Sequence, residues 1–169
     1  MKLPENDYQI LRLTDSFYNT YPNPPYTEIL KKKHRAYNCI LFQSHYGYFI
    51  CVPFRSEITH KYAYHFKKSQ RSRAHKSGLD YTKTVILDKT EYIDSIDAIV
   101  DNDEFNETMI QLERIKREAL AFVEDYVFHV KGIKTLHPLE YKRRYAFSPL
   151  KYFHRELGLE GNESGNNAL

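Results

Sequence analysis

Arg55, Ser56, Thr59, His60 and Lys61 fall within seven residues just after Pro53, and His65 follows four residues later. Guanidinium, imidazole, ammonium and hydroxyl groups at that density suit phosphodiester cleavage without a metal. RNA carries its own nucleophile, the 2′-hydroxyl beside the scissile phosphorus. The protein then has to supply a base at that hydroxyl, an acid at the leaving 5′-oxygen, and cations or donors for the pentacoordinate transition state. Each residue also has a plainer use. Arg55 can pair with Glu57 or Asp80, Ser56 can bond its own turn, and His60 can be a satisfied loop histidine. Lys61 can be surface charge, and His65, inside a strand pattern, reads as half-buried and structural. The chain has no P-loop, GxGxxG, HExxH or GxSxG sequence, and Glu57 and Asp80 are the only acids in the basic region. Neither a metal site nor a cofactor is therefore expected.

Charge is segregated along the chain. Between Lys31 and Lys83 lie 12 basic residues and two acidic ones, and this stretch also holds five of the eight histidines and ten of the 25 aromatics. From Asp88 to His129 the sign reverses to −8, and from Lys131 to Arg155 it returns to +6. If the two basic segments meet in space, they form one positive face for a polyanion. Cations interleaved with aromatics suit phosphates and unstacked bases. The RNA-binding residues expected on that face are Lys31, Lys32, Lys33, Tyr64, Lys67, Lys68, Arg71, Arg73, Lys76, Lys83, Arg143 and Arg144.

These residues need a frame. A chain of 169 residues, 41% hydrophobic and 28% charged, is long enough for one domain with a core. Residues 1–160 are expected to form it and 161–169 a flexible tail. The start of the chain lacks an apolar signal core and no run is long enough to span a membrane, so a cytoplasmic protein is expected. Cys39 and Cys51 read as buried free thiols placed about opposite each other in a hairpin. That hairpin comprises Tyr37–Gln43 and Tyr48–Phe54, and Pro53 marks an edge or a bulge. Further strands are expected at Tyr8–Leu13, Tyr62–Phe66 and Thr82–Leu87, with a mobile basic loop over 67–78. Helices are expected at Tyr26–Arg35, from Ser148–Pro149 to Gly158, and, as one rod of roughly 40 Å, from Glu104 to Val130 with Asp103 as its cap.

The stretch from Tyr48 through Pro53-Phe54-Arg55-Ser56 to Phe66, and then Gly78 to Leu87, resembles the endoribonuclease toxins of type III toxin-antitoxin systems. The CptN and TenpN branches look most similar, with ToxN and AbiQ more distant. The likeness spans about residues 37 to 90 and continues into the long helix. It implies an α+β fold: a compact, twisted antiparallel β half-barrel similar to MazF and Kid, with a long helix and shorter helices packed on it. It also implies metal-independent cleavage to 2′,3′-cyclic phosphate and 5′-hydroxyl ends. The implied partners are target RNA and a repetitive pseudoknot antitoxin RNA, in a closed assembly with several copies of each, serving phage defence or growth arrest. Where the ToxN branch has a lysine two residues after its serine, this chain has Ile58, so Arg55, His60 or Lys61 must replace that cation. Two rival readings are an RNA-binding module without chemistry and an interaction domain whose acidic helix meets a basic partner.

Overall fold

The computed structural model describes residues 8–32 and 37–161, and its sheet grows from the hairpin. Strands β2 (Asn38–Gln43) and β3 (Phe49–Arg55) are rich in aliphatic and aromatic residues, which favour a pleated, buried surface. Their turn is closed by the Ser44 N–H donating to the Tyr48 carbonyl, and Gly47 sits at φ 96°, a conformation that needs glycine. The register puts Leu41 opposite Cys51 and Cys39 opposite Pro53, so the two cysteines are diagonal, not opposed. Both are buried free thiols, and burial followed by the Cys39 contact raises the Cys51 pKa.

β1 (Gln9–Arg12) pairs with the outer side of β2. On its other side β3 meets two strands in succession. β6 (Val85–Leu87) lies along Phe49–Cys51, and β5 (Gly78–Asp80) lies along Phe54–Arg55. Between them a 3-10 turn, Tyr81–Lys83, bulges opposite Val52 and Pro53, where proline has no N–H to offer a ladder. The expected strand at Thr82–Leu87 is therefore shorter, and β5 is a strand that the sequence pattern missed. β4 (Ala63–His65) closes the far edge beside β5. The result is an α+β fold with an open, six-stranded antiparallel sheet.

Three helix expectations change. The single rod becomes α3 (Asn102–Ile110) and α4 (Leu112–Val130), parted at Gln111 with φ −101° and ψ 11°. The break lets the two helices bury different faces. α4 buries Ile115, Ala119, Phe122, Val123, Tyr126 and Val127, whereas α3 buries Glu104, Glu107 and Thr108 and leaves Phe105 exposed. The cap is Asp101, whose carboxylate accepts from the Asp103 and Glu104 N–H groups, and not Asp103. In place of the helix at Tyr26–Arg35 there are turns at 27–29 and no helix through residue 32, and Lys33 to Ala36 lie outside the described residues. The helix from Ser148 shrinks to a 3-10 turn at Pro149–Tyr152, capped as expected by the Ser148 hydroxyl. Besides the helix within 67–78, the sequence pattern does not signal α1 (Asp15–Thr20) or α5 (Pro138–Tyr145), the latter capped by the His137 ring. The tail beyond Gly161 lies outside the described residues.

The stretch 67–78 is not a free loop. It contains α2 (Gln70–His75), whose N-cap is the Ser69 hydroxyl. Two buried glutamates on α3 hold the stretch. Glu107 accepts from the Tyr64 hydroxyl and the Lys67 and Lys68 N–H groups. Glu104 accepts from Arg71 at 2.8 Å, from the Ser69 hydroxyl at 3.2 Å and from the Ser77 hydroxyl. A buried carboxylate is tolerable only with such a donor set. Glu104→Leu leaves those donors unmatched, and urea unfolding should show a loss of about 3 kcal/mol. Amide exchange should quicken first across Ser69–Ser77; an unchanged midpoint would mean that Glu104 does not hold this segment.

Candidate functional site

Asp80 ends β5 and is completely buried. Its Oδ2 accepts from Arg55 Nη1 at 2.7 Å, and its Oδ1 accepts from the Thr82 N–H at 3.0 Å and the Thr82 hydroxyl at 2.6 Å. His60 Nε2 lies 3.2 Å from the same Oδ1. The other ring nitrogen, Nδ1, accepts from the Tyr62 N–H at 3.1 Å. That bond assigns the imidazole proton to Nε2, which donates to Asp80. Both His60 nitrogens are thus engaged, and its backbone carbonyl meets His65 Nε2 at 2.8 Å. His65 is half-buried, as its place in a strand implies.

Above this carboxylate opens a pocket of about 270 Å³, lined by Arg55, His60, Thr82, Lys83, Arg143, Arg144 and Phe147. The two basic segments meet here. Lys83 Nζ donates to the carbonyls of Phe147 at 2.7 Å and Glu28 at 3.3 Å, tying the 3-10 turn to the loop after α5. Burial lowers its pKa below the ordinary lysine value, with Asp80 opposing and Arg55 adding to the shift. Arg144 is committed to Glu140 at 2.8 Å and Asp125 at 2.9 Å. Arg143 is exposed at the pocket. Among the described residues no carboxylate lines this pocket, so a bound anion there meets cations and donors beside Phe147.

The other expected residues are distributed over two further depressions. Ser56 is one residue beyond Arg55 and joins a different pocket, of about 500 Å³, with Arg12, Lys32, Arg71, Asp97 and Asp101 among its lining. There its hydroxyl accepts from Arg71 Nη2 at 2.9 Å while Arg71 Nη1 holds Glu104. Thr59, Lys61, His65 and Lys67 line an open depression with Arg114, and His60 borders both this depression and the pocket over Asp80. The cluster that is compact in sequence is therefore divided, and Arg55 and His60 share the pocket over Asp80 while Ser56 does not.

Among the expected RNA contacts, Lys83, Arg143 and Arg144 converge on that pocket. Lys67, Lys68, Arg73 and Lys76 are exposed around α2, where Arg73 also donates to the Lys68 carbonyl. Lys31 and Lys32 lie over the rings of Tyr18 and Tyr37, and Lys33 lies outside the described residues. Tyr64 is buried, its hydroxyl on Glu107 and its pKa pushed up to about 12 by burial and that carboxylate. Asp80, Thr82 and Phe147 are the lining or floor residues that the sequence reading did not assign to a site. The Asp80-x-Thr82 spacing of a side chain capping its own turn was the available signal for the first two; nothing marked Phe147. Among the described residues no group of three or more His, Cys, Asp or Glu side chains is placed to hold a metal ion. Nor is any described helix long and apolar enough to cross a membrane.

Comparison of the chain with models of known protein families, with curated proteins and with solved structures returns no match.

Glu28, whose carbonyl receives Lys83, clasps the wall of the site to the C-terminal turn. Its carboxylate accepts from the hydroxyls of Tyr152 and Thr27 and from Lys151 at 2.9 Å. The Tyr152 bond, against opposition from burial and with help from Lys151 and Thr27, lowers its pKa from the usual 4.5 to about 2. A carboxyl depressed in the folded state stabilises fully above its unfolded value and progressively less below it. The clasp should therefore weaken as pH falls from about 4.5 toward 2. Urea midpoints measured across that window should fall less steeply in Glu28→Gln than in the parent, and parallel profiles would contradict the assignment.

Proposed function

We propose that the chain is a metal-independent endoribonuclease toxin that cleaves RNA to 2′,3′-cyclic phosphate and 5′-hydroxyl ends and is held in check by a repetitive pseudoknot RNA. The observation that carries this reading is the convergence of Arg55, His60, Lys83, Arg143 and Arg144, drawn from three separate stretches of the chain, on one pocket whose lining, among the described residues, has no carboxylate. Such a pocket fits a phosphodiester, whose charge grows as the transition state forms. The open antiparallel sheet is compatible with a half-barrel of the MazF and Kid kind, which belongs to the same proposal.

In this mechanism Arg55, aimed by Asp80, and Arg143 hold the non-bridging oxygens of the phosphate. The 2′-oxygen bonds to phosphorus as its proton passes to water at the pocket mouth. The bond to the 5′-oxygen breaks, and the Lys83 ammonium gives that oxygen its proton, a transfer that a lowered pKa favours. His60 acts through Asp80 as a positioning residue, because its Nδ1 is closed by the Tyr62 amide. That same occupancy favours a second reading, in which the pocket binds RNA without cutting it.

Incubation with mixed RNA in EDTA separates the two. The enzyme reading expects new 5′-hydroxyl and cyclic phosphate ends, and a fall of about two to four orders of magnitude in rate for Lys83→Met with RNA retention largely kept. Salt-sensitive RNA retention without new ends would establish the binding module, and absence of both would end the RNA assignment.

A further inference from the structure

We infer that Phe147 is a stacking platform for an unpaired base whose phosphate lies in the pocket over Asp80, and so a residue that selects single-stranded over duplex RNA; this rests on the RNA reading of that pocket. Phe147 is 75% exposed and follows the exposed Ala146, yet the pair lies between buried anchors: Tyr145 at 4%, Ser148 at 1% and Leu150 at 0%. Those neighbours fix the backbone. The Tyr145 hydroxyl donates to the Phe122 carbonyl at 2.6 Å, the Ser148 N–H donates to the Tyr145 carbonyl at 3.1 Å, and the Ser148 hydroxyl accepts from the Leu150 N–H. The carbonyl of Phe147 itself is taken by Lys83. With its backbone held on both sides, the residue keeps an exposed place at the pocket wall.

A single exposed phenylalanine is ordinary on a protein surface. One carried on a fixed backbone at the wall of a cationic pocket is arranged as single-strand binders arrange theirs, with the cations taking the backbone and the ring taking a base face. Bases inside a duplex already stack on each other and present only edges in the grooves, so they cannot use the ring. The platform therefore favours a nucleotide that is unpaired or splayed out, and tolerates different bases because each has a π face.

The chain contains no tryptophan, so Phe147→Trp introduces a single indole at the pocket, which can be excited selectively over the 15 tyrosines. Titration with an unstructured, fully 2′-O-methylated RNA, which cannot be cleaved, should quench it to saturation. The matching duplex should quench it far less, and inorganic polyphosphate should bind by calorimetry with little quenching. In a second variant, Phe147→Leu, the affinity for the single strand should fall by about 5- to 100-fold while that for polyphosphate is unchanged. Equal quenching by duplex and single strand, or no selective loss in Phe147→Leu, would overturn the platform while leaving the pocket as an RNA site. If the parent bound neither RNA nor polyphosphate, the platform and the pocket reading would fall together.

Discussion

A carboxylate with no solvent contact must be matched by donors, and Asp80 is matched by three segments of chain at once. Arg55 comes from the end of β3, His60 from the loop that leads to β4, and Thr82 from the 3-10 turn that follows β5. Stripping the donors from a fully buried ion costs several kcal/mol, so these segments are bound to one another through a single side chain. The direction of Arg55, the tautomer of His60 and the start of the turn that carries Lys83 all follow from satisfying it.

The same constraint recurs at α3. Glu104 and Glu107 point inward where an apolar stripe would normally lie, and each collects donors from the basic stretch 67–77. The acidic segment of the chain is therefore a partner for both basic segments, and part of their positive charge is spent internally: Arg71 of the first serves Glu104 as well as Ser56, and Arg144 of the second serves Asp125 as well as its own neighbour Glu140. What remains turned toward solvent around the pocket is a smaller set than the charge count implies, with Arg143 its most exposed member.

Much of the fold was legible because its signals are local. The hairpin, the proline break and the apolar seam of α4 follow from strand composition, a missing N–H and a repeat near 3.6 residues. The break at Gln111 was hidden because Phe105 and Met109 continue the spacing of α4 in sequence while α3 buries glutamates instead. The sequence of α2 carries the composition of a loop because its polar residues are stabilised by α3, about 35 residues away. The site was half legible for the same reason. Arg55 and His60 were identified from their density, but their separation from Ser56 depends on which pocket each reaches, and Phe147 joins them only through a tertiary contact with Lys83.

In the proposed mechanism the pocket over Asp80 supplies charge and a proton while the RNA supplies the nucleophile. One measurement tests it directly: mapping the cut made in a defined RNA, then replacing only the ribose 5′ to that cut with 2′-deoxyribose. Cleavage at that position should disappear while binding of the substituted strand persists. Continued cleavage of the deoxy substrate at the same bond would show that the attacking oxygen comes from elsewhere and would contradict the mechanism.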